Sequence, residues 1–300
     1  MKPDLRTLDL NLLKTLDALL DERSVTRAAA RLSLTQPAVS GMLTRLRDNF
    51  GDPLFIRAPH GMVPTLRAQQ LAPVVKQILN DINMLLQPAR FDPLTADFTF
   101  TLAATDYALK AVVVPFIAAL KVRAPNIRVR VIPVEPERLT TQFEQGKIDL
   151  ALLTPSTTPG DLHSRTLYEE RYVCMLSTDH PDARAPLSLD RFCALEHILV
   201  SYEGESFWGV TDDALAKVGH KRRVGLSVSS FLVLPEVLAV SEMIAVVPSR
   251  LASARASICV QEPPVAIHGF TKSMAWHERT HRDPAQQWLR ELLHETSQQA

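Results

Sequence analysis

The sequence predicts an α/β chain in three parts: an N-terminal winged helix-turn-helix that is mostly α-helix, one long linker helix, and a two-lobed α/β body. Three observations predict this. Between Asp9 and Phe50 apolar residues recur at helical spacing in three short blocks set off by capping residues. From Thr65 to about Leu86 they recur at heptad spacing. From Phe98 onward, strand-like and helix-like segments alternate, the pattern of a parallel sheet with covering helices.

The first helix carries Leu12, Leu16 and Leu19 on one stripe with Asp9 as its cap. Ser24 caps the second, where Ala28, Ala29 and Ala30 leave room for a crossing helix. Thr35 caps the third, with Pro37 in its first turn, where a missing N–H costs little. Val39, Leu43, Leu46 and Phe50 form its buried stripe, so Gln36, Pro37, Ser40, Gly41, Thr44 and Arg47 face outward. That face is small, polar and basic, the chemistry that enters a DNA major groove without a steric or desolvation penalty. Arg45 lies nearer the helix edge and is expected to meet phosphate. The loop RAPHGMVPT after PLFIR reads as a wing, with Arg57, His60 and Gly61 set to lie along phosphates or the minor groove. Each feature alone also fits an ordinary three-helix hairpin; their joint spacing points to DNA.

Leu71, Val75, Ile78, Ile82 and Leu85 step by four, three, four and three, a seam that buries best against a second copy of itself. A helix packed on its own domain is the alternative. Pro73 removes one backbone hydrogen bond and is expected to kink the helix. Residues 87–97, with two prolines, read as a hinge. The domain reading is therefore 1–64 for the winged helix, 65–90 for the linker and 91–300 for the body.

Within the body, FTFTLAAT, IRVRVIPV and KIDLALLT make the first alternating block, and RYVCMLS, HILVSYE, RRVGLSVSS and MIAVVPS the second. The chain crosses between them at the Pro/Gly/Thr stretch 154–161 and returns near Glu262-Pro263-Pro264. Lobe I then spans about 97–160 and 266–300, and lobe II about 161–265. Two crossings make a clamshell like that of periplasmic binding proteins. Ligands of open α/β sheets sit outside the carboxyl ends of strands. That places Thr105, Asp106, Thr154, Ser201, Ser229 and Phe231 at the crevice, although each hydroxyl serves equally well as a simple helix cap.

Composition sets limits. Apolar residues make up 46% of the 300, enough for real cores. Formal net charge is zero, but residues 1–90 hold 12 Lys+Arg against 8 Asp+Glu and the remainder 21 against 25, a mildly basic head on an acidic body. The longest apolar run, Ala111 to Leu120, is too short for a membrane span, so a cytoplasmic chain with no membrane contact is expected. Cys174, Cys193 and Cys259 are odd in number and far apart, which argues for free thiols. His277-Glu278-Arg279-Thr280-His281 matches H-E-x-x-H, but FTKSMAW before it reads as a strand and Asp283-Pro284 stops any helix after it. No metal site and no cofactor are expected, and the absence of a phosphate loop or nucleophile elbow argues against an enzyme.

DLNLLKTLDALLDERSVTRAAARLSLTQPAVSGMLTRLRDNFGDPLFIRAPHGMVPT closely resembles the N-terminal winged helix of LysR-type transcriptional regulators. FDPLTADFTFTLAATD, YVCMLSTDHP and the Trp276-His277 pair resemble the branch that senses salicylate, nitroaromatics and flavonoids. The resemblance implies a homodimer or homotetramer on double-stranded operator DNA, a contact with RNA polymerase, and a small-molecule co-inducer between the lobes. It also implies an effector contact at Arg171, whose guanidinium suits a carboxylate or phenolate; a salt bridge to Glu169 or Glu170 is the alternative. Phe207 stands where other members present polar groups, and Ala275 replaces a bulkier aromatic residue. These departures argue against salicylate itself and leave an aromatic compound or small organic anion. The opposing reading is a metabolite-binding or enzymatic α/β protein whose N-terminal helices serve assembly.

Overall fold

Three side-chain caps start the fold. Asp9, Ser24 and Thr35 accept hydrogen bonds from the backbone N–H groups of Leu12, Arg27 and Ala38, opening α1 (Leu10–Glu22), α2 (Val25–Arg31) and α3 (Gln36–Phe50). The computed structural model describes residues 8–59, 61–86, 91–201, 207–252 and 257–299. The chain divides into two compact units, residues 1–89 and 90–300.

In the first unit Leu12, Leu16, Leu19, Ala28, Ala29, Val39, Leu43 and Leu46 bury into one core, while Ala30 stays exposed. After α3 the hairpin of β1 (Phe55–Ala58) and β2 (Gly61–Pro64) forms the wing. Thr65 caps α4 (Leu66–Leu86), its hydroxyl accepting from Ala68 N at 3.1 Å. The helix runs unbroken through Pro73. Its predicted seam is not one surface, however. Val75 is buried in the core of its own unit, with Leu71 and Leu79 packed against that core. Val74, Ile78 and Leu85 are left exposed and Ile82 half-buried. The helix serves both alternatives at once, one face inward and an adjacent face outward.

The second unit holds two five-stranded sheets. Lobe I has the order β4 (Arg128–Ile132), β3 (Thr99–Ala103), β5 (Leu150–Leu153), β12 (Phe270–Trp276), β6 (His163–Glu170). Lobe II has β11 (Ile258–Gln261), β7 (Tyr172–Ser177), β10 (Ile244–Pro248), β8 (Glu196–Val200), β9 (Arg223–Val228). Lobe I packs one face on α5 (Asp106–Ala108), α6 (Val114–Arg123) and α11 (Pro284–Gln299), and the other on α7 (Leu139–Glu144). Lobe II lies between α8 (Leu189–Ala194) with α9 (Val210–Lys217) and α10 (Leu234–Ala239).

Three expectations change. The sheets are mixed rather than parallel, because β12 and β7 run antiparallel to their neighbours. The strands β6 and β11 were not foreseen. β6, HSRTLYEE, is polar along most of its length and buries only Leu167, Tyr168 and Glu170. Because β6 pairs with β12 along its whole length, it belongs to lobe I. The first crossing therefore falls at Arg171 rather than near residue 161, and 161–170 move from lobe II to lobe I.

Lobe II carries a buried polar network. Arg222 reaches both oxygens of Asp212 at 2.9 and 2.7 Å and lies 3.3 Å from His197 Nδ1. His197 Nε2 donates to the Phe192 carbonyl at 2.8 Å. Burial pushes the imidazole down to about 4, so it stays neutral in the fold. An unfolded histidine titrates near 6.5, so the unfolded chain binds the proton first as pH falls. His197 therefore contributes about 3 kcal/mol above pH 7, lost as pH drops from about 6.5 toward 4. Urea denaturation at several pH values should show that slope in the native sequence and a flatter one in His197→Gln. Equal slopes would assign the titration to another group.

Candidate functional sites

On α3, Gln36, Pro37, Ser40, Gly41, Thr44 and Arg45 are all exposed over the buried Val39–Leu43–Leu46 stripe, and Phe50 is half-buried. Thr35 is exposed as the cap. Two basic residues are committed locally. Arg45 pairs with Asp9 at 3.1 Å across an exposed surface, an interaction worth little in water. Arg47 does not point away with the groove face: its guanidinium donates to the carbonyls of Pro53 (2.8 Å) and Phe55 (3.3 Å). It thereby ties the end of α3 to the base of the wing. Asp52 completes that joint, accepting from Leu54 N at 2.7 Å and from the Thr65 hydroxyl at 2.8 Å.

The wing hairpin exposes Arg57 opposite Met62. Gly61 has φ +130°, and a Cβ there would stand 2.9 Å from the Arg23 carbonyl, so the position needs glycine for backbone reasons alone. His60 lies outside the described residues.

In the second unit the predicted strand-end residues divide into two groups. Asp106 and Phe231 are brought together: the Asp106 carboxylate accepts from Phe231 N at 2.6 Å and from Tyr107 N at 2.7 Å. This bond joins α5 of lobe I to the turn after β9 in lobe II, and the Phe231 ring lies 6.4 Å from that of Tyr107. Thr105 and Thr154 act as caps, Thr105 accepting from Ala108 N and Thr154 sharing a hydroxyl cluster with Ser156 and Thr157. Ser201 joins strand ends through its N–H to Val228 O at 2.9 Å. Ser229 is exposed, and the neighbouring Ser230 supplies the cap instead.

Two carried-over positions are corrected. Arg171 pairs with neither Glu169 nor Glu170; its Nη1 sits 2.7 and 2.8 Å from the Glu262 carboxylate oxygens. Ala275 is fully buried beneath lobe I, packed with Leu139, Phe143 and Leu153. Strand period places it there, since its neighbours Met274 and Trp276 take the opposite face. Phe207 is 60% exposed.

The centre of the crossing is a residue the sequence did not single out. Glu170 is 4% exposed. Its Oε1 accepts from Arg171 N (2.9 Å), Ser249 N (3.1 Å) and the Ser249 hydroxyl (2.6 Å), and its Oε2 from the Tyr107 hydroxyl (2.6 Å). Tyr107 and Tyr168 hydroxyls stand 3.0 Å apart. Burial pushes Tyr168 up to about 12 and Tyr107 higher still, so both stay protonated. The Arg250 guanidinium covers the Tyr168 ring at 3.7 Å. Lys272, buried and pushed down to about 8, donates to the Leu152 carbonyl at 2.9 Å. At the return crossing a Cβ on Gly269 would fall 1.9 Å from the Glu170 carbonyl, so only glycine fits. The one sequence signal for Glu170 is strand alternation, which sends 168 and 170 inward and 169 outward.

The H-E-x-x-H residues do not share a helix face. Residues 278–280 make a single 3-10 turn, and His277 Nδ1 accepts from Arg279 N. Among the described residues one group of metal-ligating side chains does converge, His163, Glu278 and His281, with donor atoms within 4.8 Å of one another. Protein groups already hold them: His163 Nε2 lies 2.6 Å from Glu278 Oε2, His281 Nδ1 accepts from Trp276 Nε1 at 3.1 Å, and the two imidazoles stack at 4.1 Å. Stacked rings cannot aim their in-plane lone pairs at a shared ion.

Residues 10–69 match the bacterial regulatory helix-turn-helix family of the lysR type, and residues 97–298 match the LysR substrate binding domain. The chain is a LysR-type transcriptional regulator. It is 38% identical to the HTH-type transcriptional activator NagR of a Ralstonia species over 99% of this chain and 100% of the relative. Identity to the HTH-type transcriptional activator NahR of Pseudomonas putida is 37%, over 97% and 98%. The crystal structure of a Pseudomonas aeruginosa transcriptional regulator matches with TM-score 0.60 at 31% identity, covering 96% of this chain and 97% of that one. The regulator thus carries a helix-turn-helix head and an effector-binding body. Among its described residues no helix is long and apolar enough to cross a membrane.

Proposed function

We propose that the regulator reads operator DNA as a homo-oligomer through α3 and the wing, and that a small aromatic or organic anion between the lobes changes its grip. The observation that carries the DNA reading is the exposed small, polar face of α3, held rigid by a buried leucine stripe and by the Arg47 tie to the wing. Gln36 presents a bidentate amide suited to adenine, and Pro37 packs on a thymine methyl. Thr35, Ser40, Gly41 and Thr44 allow close approach; Arg57, His60 and Gly61 follow the backbone. Arg45 leaves Asp9 for phosphate. The exposed face of α4 pairs two copies. The regulator also contacts RNA polymerase, in keeping with relatives named transcriptional activators. The setting is the cytoplasm, where the DNA is.

Gln36→Ala should lose about 1–3 kcal/mol on DNA from the regulator's own upstream region and little on random DNA. Band shifts at two salt concentrations measure both. Equal losses on the two DNAs would remove the base-reading role.

For the effector, Asp106 and Phe231 are the strand-end residues that bond to one another across the lobes, so closure and ligand binding meet there. Thr105, Thr154 and Ser201 line the strand ends around them. Arg171 stands at the hinge with its guanidinium on Glu262, an exposed pair from which it can turn to an effector carboxylate, while Ala275, buried in lobe I, makes no ligand contact.

A further inference from the structure

The wing leaves α3 through a strained turn. Phe55 N–H donates to the Pro53 carbonyl at 2.6 Å, closing a three-residue γ-turn, and Leu54 at its centre has φ +57°. This is the rare form of the turn, and glycine is the residue that enters it without penalty. Leucine stands here instead, 0% exposed, with its side chain in the same core as Leu46 and Ala68. A strained backbone above a buried leucine persists only where its surroundings over-determine it. Here they do. Asp52 Oδ1 accepts from Leu54 N–H at 2.7 Å and from the Thr65 hydroxyl at 2.8 Å. Thr65 N–H donates to the Leu54 carbonyl at 2.9 Å, and its hydroxyl caps α4. The carbonyls on either side, of Pro53 and Phe55, take the two arms of the Arg47 guanidinium. The Arg47 carbonyl in turn accepts from Gly51 N at 2.8 Å, where α3 ends.

We infer that Arg47 and Asp52 are positioning residues for DNA reading: they lock the Leu54 turn, and the lock fixes the angle at which the wing meets DNA beside the α3 contact. The inference rests on the proposed reading by α3 and the wing, and names the residues that make the two one rigid reader. The wing is a hairpin of two four-residue strands. A lone two-stranded hairpin is marginal in water, so its direction comes from its root. Arg57 stands two residues beyond Phe55, about 7 Å along the strand, and a swing of about 20° at the turn moves it by about 2 Å. That displacement breaks a phosphate hydrogen bond, which spans only about 3 Å. Thr65 ties the same turn to the first residues of α4, so the wing angle is also set relative to the linker helix.

Hydroxyl-radical footprinting of the full chain on its own upstream DNA separates the two contacts, since α3 protects the centre of each half-site and the wing protects the flank. Asp52→Ala should lose the flank, keep the centre, and bind about tenfold more weakly with a shallower salt dependence, because wing phosphate contacts are gone. Asp52→Asn keeps the oxygen that both donors use and should footprint like the native chain. Arg47→Lys keeps the charge but cannot span two carbonyls, so it should copy Asp52→Ala; an arginine that met phosphate directly would be replaced by lysine with the flank intact. Preference for upstream over random DNA should survive in both weakened variants. Three results would overturn the positioning role: native flank protection and salt slope in Asp52→Ala, equal losses in the Ala and Asn variants, or loss of centre and flank together in a variant whose melting is unchanged. Should Asp52→Ala fail to fold, native flank protection in Arg47→Lys overturns it alone. Absence of flank protection in the native chain would remove the wing reading itself, a failure visible before any variant is made.

Discussion

Glu170→Ala is expected to destabilise the C-terminal unit by about 2–4 kcal/mol, because several buried hydrogen-bond donors lose their acceptor at once. Five donors converge on this carboxylate: the Tyr107 and Ser249 hydroxyls and the N–H groups of Arg171, Ser249 and Arg250. Alanine leaves them without their acceptor at a position that is 4% exposed. Glu170→Gln keeps one acceptor oxygen and should cost clearly less. The donors come from both lobes and from the crossing between them, so Glu170→Ala should also broaden the unfolding transition as the lobes lose their common tie. Guanidinium denaturation followed by tryptophan fluorescence measures both. A loss below about 1 kcal/mol would mean that water replaces the carboxylate and that the hub is not a structural tie.

Paired aspartates at Ile78 and Ile82 are expected to convert the regulator from an oligomer to a form lacking the α4 contact, with loss of high-affinity operator binding. Ile78 is exposed and Ile82 half-buried on the face of α4 that carries Val74 and Leu85, so a charge there costs the free subunit little and far more when a second copy buries it. The contrast with Val75 sharpens the test. Val75→Asp strikes the core that α4 shares with Leu12 and Leu16 and should unfold the N-terminal unit. The double variant should leave that unit's melting intact. Light scattering and operator binding are the readouts; an unchanged oligomer with full operator affinity would show that α4 does not make the dimer.

The head was legible from sequence because its interactions are local. A cap and its N–H partner lie three residues apart at Asp9, Ser24 and Thr35, and a buried stripe such as Val39–Leu43–Leu46 repeats within one helix. Most strands of the body were legible for the same reason. β6 was not, because its residues are held by β12, a hundred or more positions away, and its own alternation is largely polar.

By itself, then, the sequence determined the helix-turn-helix, the wing, the long helix and the two-lobed plan, all of which follow from periodicity and capping within a few turns of chain. Tertiary structure alone decided what long-range pairing controls. It sent Arg47 back to the wing and Val75 into the core, moved the crossing to Arg171, and turned that arginine toward Glu262. It also buried Ala275 and gathered five donors on Glu170. The physical reason is shared. Charge and apolarity are properties of a residue, but a partner is a property of the fold: a guanidinium or carboxylate takes whichever opposite group the packed backbone brings within about 3 Å.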